Sequence, residues 1–287
     1  MSSPSCSVCH GTLRPLSRLN GFTLYHCLNC THLQSVFDQD SKRETYTPEY
    51  FNEKHKNWFN HPDLRLFDKV LSSVKRFNDS EDPHILDVGC GMGNFLKYAH
   101  QNGYRHLFGL DLAKNEATEY KLIQADFSSF ETDQKFDVIT TMMNIEHLDD
   151  VQSYILKLGH LTKDDGLIII NTIDSSSLIY RMAQIMDLLG IRFAAKRLFE
   201  AHHVNHFNQK SLTKLTEAAD LQVVDLFKKN YPMNAIDTGA GTWLELPLKL
   251  IISSINAISW LLGMQISQTI VVRKRPSSRK DKVLKQT

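Results

Sequence analysis

Short apolar runs alternate with helical patterns through the middle of the chain. The runs cover residues 84–88, 106–111, 120–124, 136–142 and 166–171, each of strand length and bounded by turn residues. Strands separated by helices need crossover connections, so this rhythm predicts an α/β core around a parallel sheet, starting near residue 80. Ahead of it, residues 59–77 place Leu64, Phe67, Val70, Leu71 and Val74 at helical spacing, predicting an amphipathic helix that covers something. After the fifth run, residues 175–207 carry Leu178, Met182, Ile185, Met186 and Leu189 in a helical pattern, followed by a histidine cluster. An insertion there lies at the carboxyl ends of the strands, where open α/β sheets bind ligands, and is expected to form a lid. Residues 211–219 read as a helix, and 221–227 and 268–273 as the last two strands.

The most apolar window, 242–263, has Leu244, Leu248, Ile251, Ile252, Ile255, Ile258 and Leu262 at helical spacing. A membrane span needs about 20 consecutive apolar residues. Glu245, Lys249, Ser253, Ser254, Asn256 and Ser259 interrupt this one, so it is expected not to cross a bilayer. Three arrangements stay open: a helix packed on the sheet, a dimer surface, or a helix lying on a membrane. Arg273, Lys274, Arg275, Arg279, Lys280, Lys282 and Lys285 follow, against Asp281, as a solvated basic tail or one drawn to anionic lipid.

Composition narrows the function. The 287 residues carry 33 Lys and Arg against 32 Asp and Glu, so no global field draws in a nucleic-acid backbone, and nucleic acid is not an expected partner. Four of the five cysteines, Cys6, Cys9, Cys27 and Cys30, fall in the first 30 residues as two Cys-x-x-Cys pairs separated by 17 residues. No apolar run of signal-peptide length precedes them, so reduced thiols and a cytoplasmic setting, possible contact with a membrane's inner face included, are expected. The spacing matches a tetrahedral structural zinc site; a redox or incidental thiol pair is the other reading. A segment this small has too little core to fold without the metal.

Residues 84–96, HILDVGCGMGNFL, join a strand, a glycine-rich turn and a helix start. Gly89, Gly91 and Gly93 allow close approach of the backbone to a ligand, and the helix start offers free amides. Asn94 stands where a dinucleotide fingerprint needs its third glycine, which argues against NAD. Asp111 ends the next strand, 22 residues after Gly89, placed to accept from ribose hydroxyls, and Asp126 ends the third, placed to accept from an adenine amine.

Together ILDVGCGMGNFL, LFGLD, QADF and FDVITTMMNIEHLDD resemble the successive motifs of class I S-adenosylmethionine-dependent methyltransferases. The resemblance implies a seven-stranded Rossmann-like sheet with strand order 3-2-1-4-5-7-6 and the last strand antiparallel. It implies that Asp87 and the backbone of Gly89, Gly91 and Gly93 hold the methionine end of the cofactor. Asp111, with Leu112 beside it, would bind ribose; Asp126 and Phe127 would bind adenine; Met143 and Asn144 would lie by the sulfonium. Cys90 reads as a small buried filler. In resembling enzymes the post-strand segment sometimes reads Glu-x-x-Glu-His and binds a divalent metal; here Met143 replaces the first glutamate, which puts such a metal in doubt.

Methyl transfer requires an aligned acceptor and, where needed, a base for its proton. His147 is the leading candidate base and Glu146 its partner, with a loop-ordering pair as the other reading. Among the lid histidines, His202 and His206 share a helical face that would allow a metal, though a surface cap of the next helix is preferred over it. The AHHVNHF segment also resembles a stretch of zinc-ribbon methyltransferases from polysaccharide and natural-product pathways. The expected organisation is a zinc-ribbon-like segment (1–36), a linker and helical cap (37–80), the methyltransferase domain (81–274) and the basic tail (275–287). The expected activity is methyl transfer to a small-molecule or glycan-like acceptor, at oxygen before carbon or nitrogen. The alternatives are a cofactor-binding scaffold without turnover and an NAD-dependent oxidoreductase. A homodimer and a peripheral membrane contact are the further partners considered.

Overall fold

The computed structural model describes residues 4–19, 21–38, 61–114, 117–200, 202–235 and 242–275. The linker between 39 and 60 and the distal basic tail lie outside these residues.

Seven strands form the central sheet: β4 (Ile85–Val88), β5 (Leu107–Asp111), β6 (Lys121–Gln124), β7 (Phe136–Met142), β8 (Thr162–Ile173), β10 (Leu221–Lys229) and β11 (Ser267–Lys274). Their order is β6-β5-β4-β7-β8-β11-β10. The first five are parallel, and β11 runs antiparallel to both of its neighbours. This is the expected 3-2-1-4-5-7-6 arrangement. The central strands are buried on both faces, which is why they read as unbroken apolar runs rather than alternating ones. Leu86, Val88, Ile139, Ile168 and Ile170 face one side, with α3 (Val151–Leu161) and α6 (Gln209–Ala218) over them. Ile85, Val138, Leu167 and Ile169 face the other, under α1 (Leu64–Phe77) and α2 (Asn94–Gln101). Each fully buried aliphatic side chain contributes roughly 1.5–3 kcal/mol. Helix α1 buries Phe67, Val70, Leu71 and Val74 as its spacing predicts; Leu64, in its first turn, stays exposed.

Three antiparallel strands, β1 (Leu13–Leu19), β2 (Phe22–Cys27) and β3 (Leu33–Phe37), form the cysteine-bearing ribbon. The ribbon sheet gains a fourth strand from the lid, β9 (Asn205–His206). The rest of the lid is α4 (Leu178–Leu188) and α5 (Phe193–Leu198). Tyr180, Ala195 and Phe199 of the lid share a core with Leu19, Phe22, Leu24 and Leu33 of the ribbon. Cys6, Val8, Leu13, Cys27 and Cys30 belong to the same core as Val151, Ile155 and Phe207. The ribbon is thus built into the main body.

The apolar window forms α7 (Thr242–Leu261). It is not packed on the sheet: from Leu246 to Leu261 only Ser259 is buried, while Leu246, Leu250, Ile251, Ile258, Trp260 and Leu261 are exposed. An apolar stripe interrupted by polar residues on all sides offers no single face to the sheet. Among the described residues, no helix is long and apolar enough to cross a membrane.

Candidate active site

The carboxyl ends of β4, β5 and β7, the start of α1 and the lid enclose a cavity of about 1030 Å³. Its floor is the turn after β4. Gly89 has φ +74°, and a Cβ there would lie 2.7 Å from the Asn144 side chain. Gly93, φ +70°, is the N-cap of α2, and a Cβ there would overlap the Tyr120 hydroxyl at 2.1 Å. Both therefore need a residue without a side chain. Gly89 and Gly91 line the cavity, whereas Gly93 only shapes the loop. Cys90 is buried, its sulfur against Gly109, as a filler would be.

Every other residue expected to hold the cofactor lines this cavity: Asp87, Asp111, Leu112, Asp126, Phe127, Met143 and Asn144. The Asp87 carboxyl is buried and accepts from the Thr140 hydroxyl at 2.7 Å. Burial pushes its pKa up to about 7, the Thr140 hydrogen bond pulling back and the charge of Asp111 adding to the rise. Asp111 accepts the Gly91 amide at one oxygen and the Ala113 amide at the other, both at 2.8 Å, which aims the carboxylate at the loop. Asp126 accepts the Ser128 amide at 2.8 Å, the main cause holding its pKa below the usual value. Phe127 packs edge-on against Tyr154, ring centroids 4.9 Å apart. A cradle without Cβ atoms, a buried carboxyl that a cation would relieve and two paired strand-end carboxylates suit an aminoacyl nucleoside.

Met143 has φ +52°, a strained torsion for a non-glycine residue at the cavity wall. The 3-10 turn Ile145–His147 follows it. His147 lines the cavity, with Nδ1 3.2 Å from the His202 carbonyl oxygen. A carbonyl only accepts, so Nδ1 carries the proton and the lone pair of the neutral ring sits on Nε2. Burial lowers the His147 pKa to about 4, and the nearby His202 adds to the effect, so the ring is neutral near pH 7. Glu146 is placed differently from its expected catalytic position. It is buried, does not line the cavity, and accepts from the Thr172 hydroxyl at 2.8 Å; burial raises its pKa to about 7.

The lid histidines also depart from expectation. His202 and His206 do not share a helix: His206 is on β9, buried against Ser35, and α6 is capped by Asn208 and Ser211. Instead His202 and His203 meet His147, and one ring nitrogen of each lies within 4.8 Å of the others. Three imidazoles so placed could share one ion. No local pattern in the sequence marks Tyr154 and Tyr231, which also line the cavity. Tyr154 accepts from the Asn144 side-chain amide at 3.1 Å, and the Tyr231 hydroxyl lies 3.5 Å from the Met143 sulfur. Only the fold brings these distant positions to one wall.

In the ribbon, Cys6 and Cys30 sulfurs are 3.6 Å apart, Cys9 and Cys27 sulfurs 3.4 Å, and all four lie within 4.8 Å of one another. Disulfides would require about 2.05 Å. Tetrahedral thiolates about 2.3 Å from an ion stand about 3.8 Å apart. Each pair closes in the same way: the His10 amide donates to the Cys6 carbonyl and the Thr31 amide to the Cys27 carbonyl, with positive φ at both His10 and Thr31. The four thiols fit one tetrahedral metal.

A methyltransferase-domain family model matches residues 59–226, more than half of the chain, and the protein belongs to that family. Its sequence is 25% identical over 240 residues to the mitochondrial ubiquinone biosynthesis O-methyltransferase of Dictyostelium discoideum, covering 75% of this chain and 63% of that protein. It is 30% identical over 133 residues to the ubiquinone biosynthesis O-methyltransferase of Rickettsia bellii (strain OSU 85-389), covering 42% of this chain and 52% of the relative. The matches thus span about half to two thirds of these relatives' lengths. In fold it is similar to the magnesium protoporphyrin IX methyltransferase of Synechocystis PCC 6803 with bound SAH, at TM-score 0.52 and 11% identity over 79% of this chain and 97% of that one.

Proposed function

We propose that the protein methylates an oxygen of a small-molecule acceptor, a glycan-like one included, with His147 taking the hydroxyl proton. The observation that carries this reading is the position of His147 in the same cavity as the glycine turn and Asp111. S-adenosylmethionine would supply an electrophilic methyl group. Asp87 and the Gly89–Gly91 backbone would hold its methionine end, Asp111 and Leu112 its ribose, and Asp126 and Phe127 its adenine. Met143 and Asn144 would border the reacting centre. The remaining wall, with Leu66, Phe67, Tyr231 and Ile266, is apolar enough to seat a ring and exclude water. Neutral His147, its Nδ1 hydrogen occupied by a backbone carbonyl, presents Nε2 for the proton. Glu146 supports that turn from beneath through Thr172. The O-methyltransferase names of the relatives favour oxygen over carbon or nitrogen.

Zinc is the metal we assign to Cys6, Cys9, Cys27 and Cys30, since four thiolates and tetrahedral spacing suit it. We also assign the protein to the surface of an anionic membrane in the cytoplasm, through the exposed face of α7 and the basic tail.

Titration with S-adenosylmethionine tests the site. Asp111→Ala removes hydrogen bonds to a charged acceptor, about 1.5 kcal/mol or more, and is expected to weaken binding at least tenfold. Asp111→Asn, which keeps the shape, should weaken it less. Absence of binding to the native protein up to millimolar ligand, or affinity unchanged in both variants, would overturn the assignment.

A further inference from the structure

The ribbon touches the turn that carries His147 through the lid, and the connections are hydrogen bonds that are buried or partly buried. The Val204 amide donates to the Glu146 carbonyl at 2.9 Å, while its own carbonyl accepts the Ser35 amide of β3 at 2.8 Å. One residue on, the Asn205 side chain does the same in a second layer. Its Nδ2 donates to the Leu148 carbonyl at 2.5 Å. Its Oδ1 accepts from the Ser7 hydroxyl at 2.8 Å and lies 3.2 Å from Nε2 of His32. Ser7 lies between Cys6 and Cys9, and His32 follows Cys30 by two residues. His147, between Glu146 and Leu148, is therefore gripped at both flanking carbonyls by a lid segment that is itself a strand of the ribbon sheet. Asn205 is 1% exposed, so water does not replace a lost partner there.

We infer that Asn205 is a positioning residue for His147, through which the four-cysteine ribbon sets the orientation of the imidazole. This rests on the reading of His147 as the base. The ring is held by the His202 carbonyl, which belongs to the same lid segment as Asn205, three residues away. Loss of the Leu148 contact frees the end of the turn, and Nδ1 and that carbonyl part. An asparagine is suited to the task because it donates on one side and accepts on the other, which neither aspartate nor leucine does. The same coupling explains why a ribbon remote in sequence shares its core with the lid.

Nitrogen-15 spectroscopy of histidine-labelled protein tests the inference without an acceptor, the His147 signal being assigned by its loss in His147→Gln. The native protein should show a single tautomer protonated at Nδ1. Asn205→Asp keeps the acceptor for Ser7 and His32 but cannot donate to Leu148; it should shift that signal towards averaged tautomers. Zinc should stay near one per chain and affinity for S-adenosylhomocysteine should change less than twofold. Asn205→Ala should move the signal in the same direction. A native-like His147 signal in both variants would overturn the proposal, as would loss of zinc in both, because Asn205 would then serve the ribbon alone. The base reading fails separately: His147→Gln retaining full turnover would sink it while leaving the positioning result intact.

Discussion

A carboxyl buried at the end of a strand is costly to ionise until a cation reaches it, and Asp87 is in that position with a pKa pushed up to about 7, chiefly by burial. If it receives the cofactor's ammonium group, binding favours the ionised form and lowers its pKa in the complex. Below pH 7 the proton must be released on binding, so affinity should fall by up to about tenfold per pH unit as pH drops, and level off above 7. Calorimetry between pH 5.5 and 8 reads this directly, and Asp87→Asn should flatten the profile. A flat native profile would remove Asp87 from the site. Asp87, Asp111 and the glycine trio were legible because each follows from one local device, a strand end or a turn that tolerates no Cβ. Tyr231 and Asn205 were not: each acts through a partner more than 50 residues away, Met143 and Leu148 respectively. Glu146 shows the opposite failure, since a polar residue beside a candidate base looks chemical in sequence, yet its burial against Thr172 makes it structural.

At the scale of elements, the ribbon was legible as a cluster of four thiols and illegible as a support of the active-site turn. Cysteine spacing reports local turns, whereas β9 is a two-residue pairing that no periodicity reveals. The thiols of Cys9 and Cys30 have raised pKa values, burial leading for Cys9 and the hydrogen bond to Cys6 for Cys30, so without a cation they are neutral and crowded. A divalent ion removes those protons, and its binding energy becomes folding energy of the ribbon. Purified protein should contain about one zinc per chain, and Cys27→Ser should lose it. Hydrogen exchange should then accelerate across β1–β3 and also at residues 204–206, while β4 and β5 stay protected. Exchange confined to the ribbon would show that the lid stands without it.

The whole molecule leaves one surface unexplained by its core. Helix α7 packs against α4 of the lid; α4, the turn after it and the start of α5 expose Ile185, Leu188, Leu189 and Phe193, and α7 exposes Leu250, Ile258, Trp260 and Leu261. Lys196, Lys249 and Arg192, which pairs with Asp187, are their neighbours in sequence. The lid that carries half of this surface also supplies Tyr180, Arg197 and Leu198 to the cavity wall. On the membrane reading, an apolar acceptor held in a bilayer would reach the cavity beside this lid. Apolar anchoring and basic attraction are the two components that hold a protein at an anionic interface. Vesicles with phosphatidylglycerol should therefore sediment the protein more than neutral ones, and added salt should weaken this contact without abolishing it. Phe193→Ser with Trp260→Ser removes two aromatic anchors worth roughly 1.5–3 kcal/mol each when buried, enough to lower vesicle affinity more than tenfold. Should the protein ignore vesicles and sediment as a dimer that this double substitution dissociates, the surface joins two copies of the chain instead.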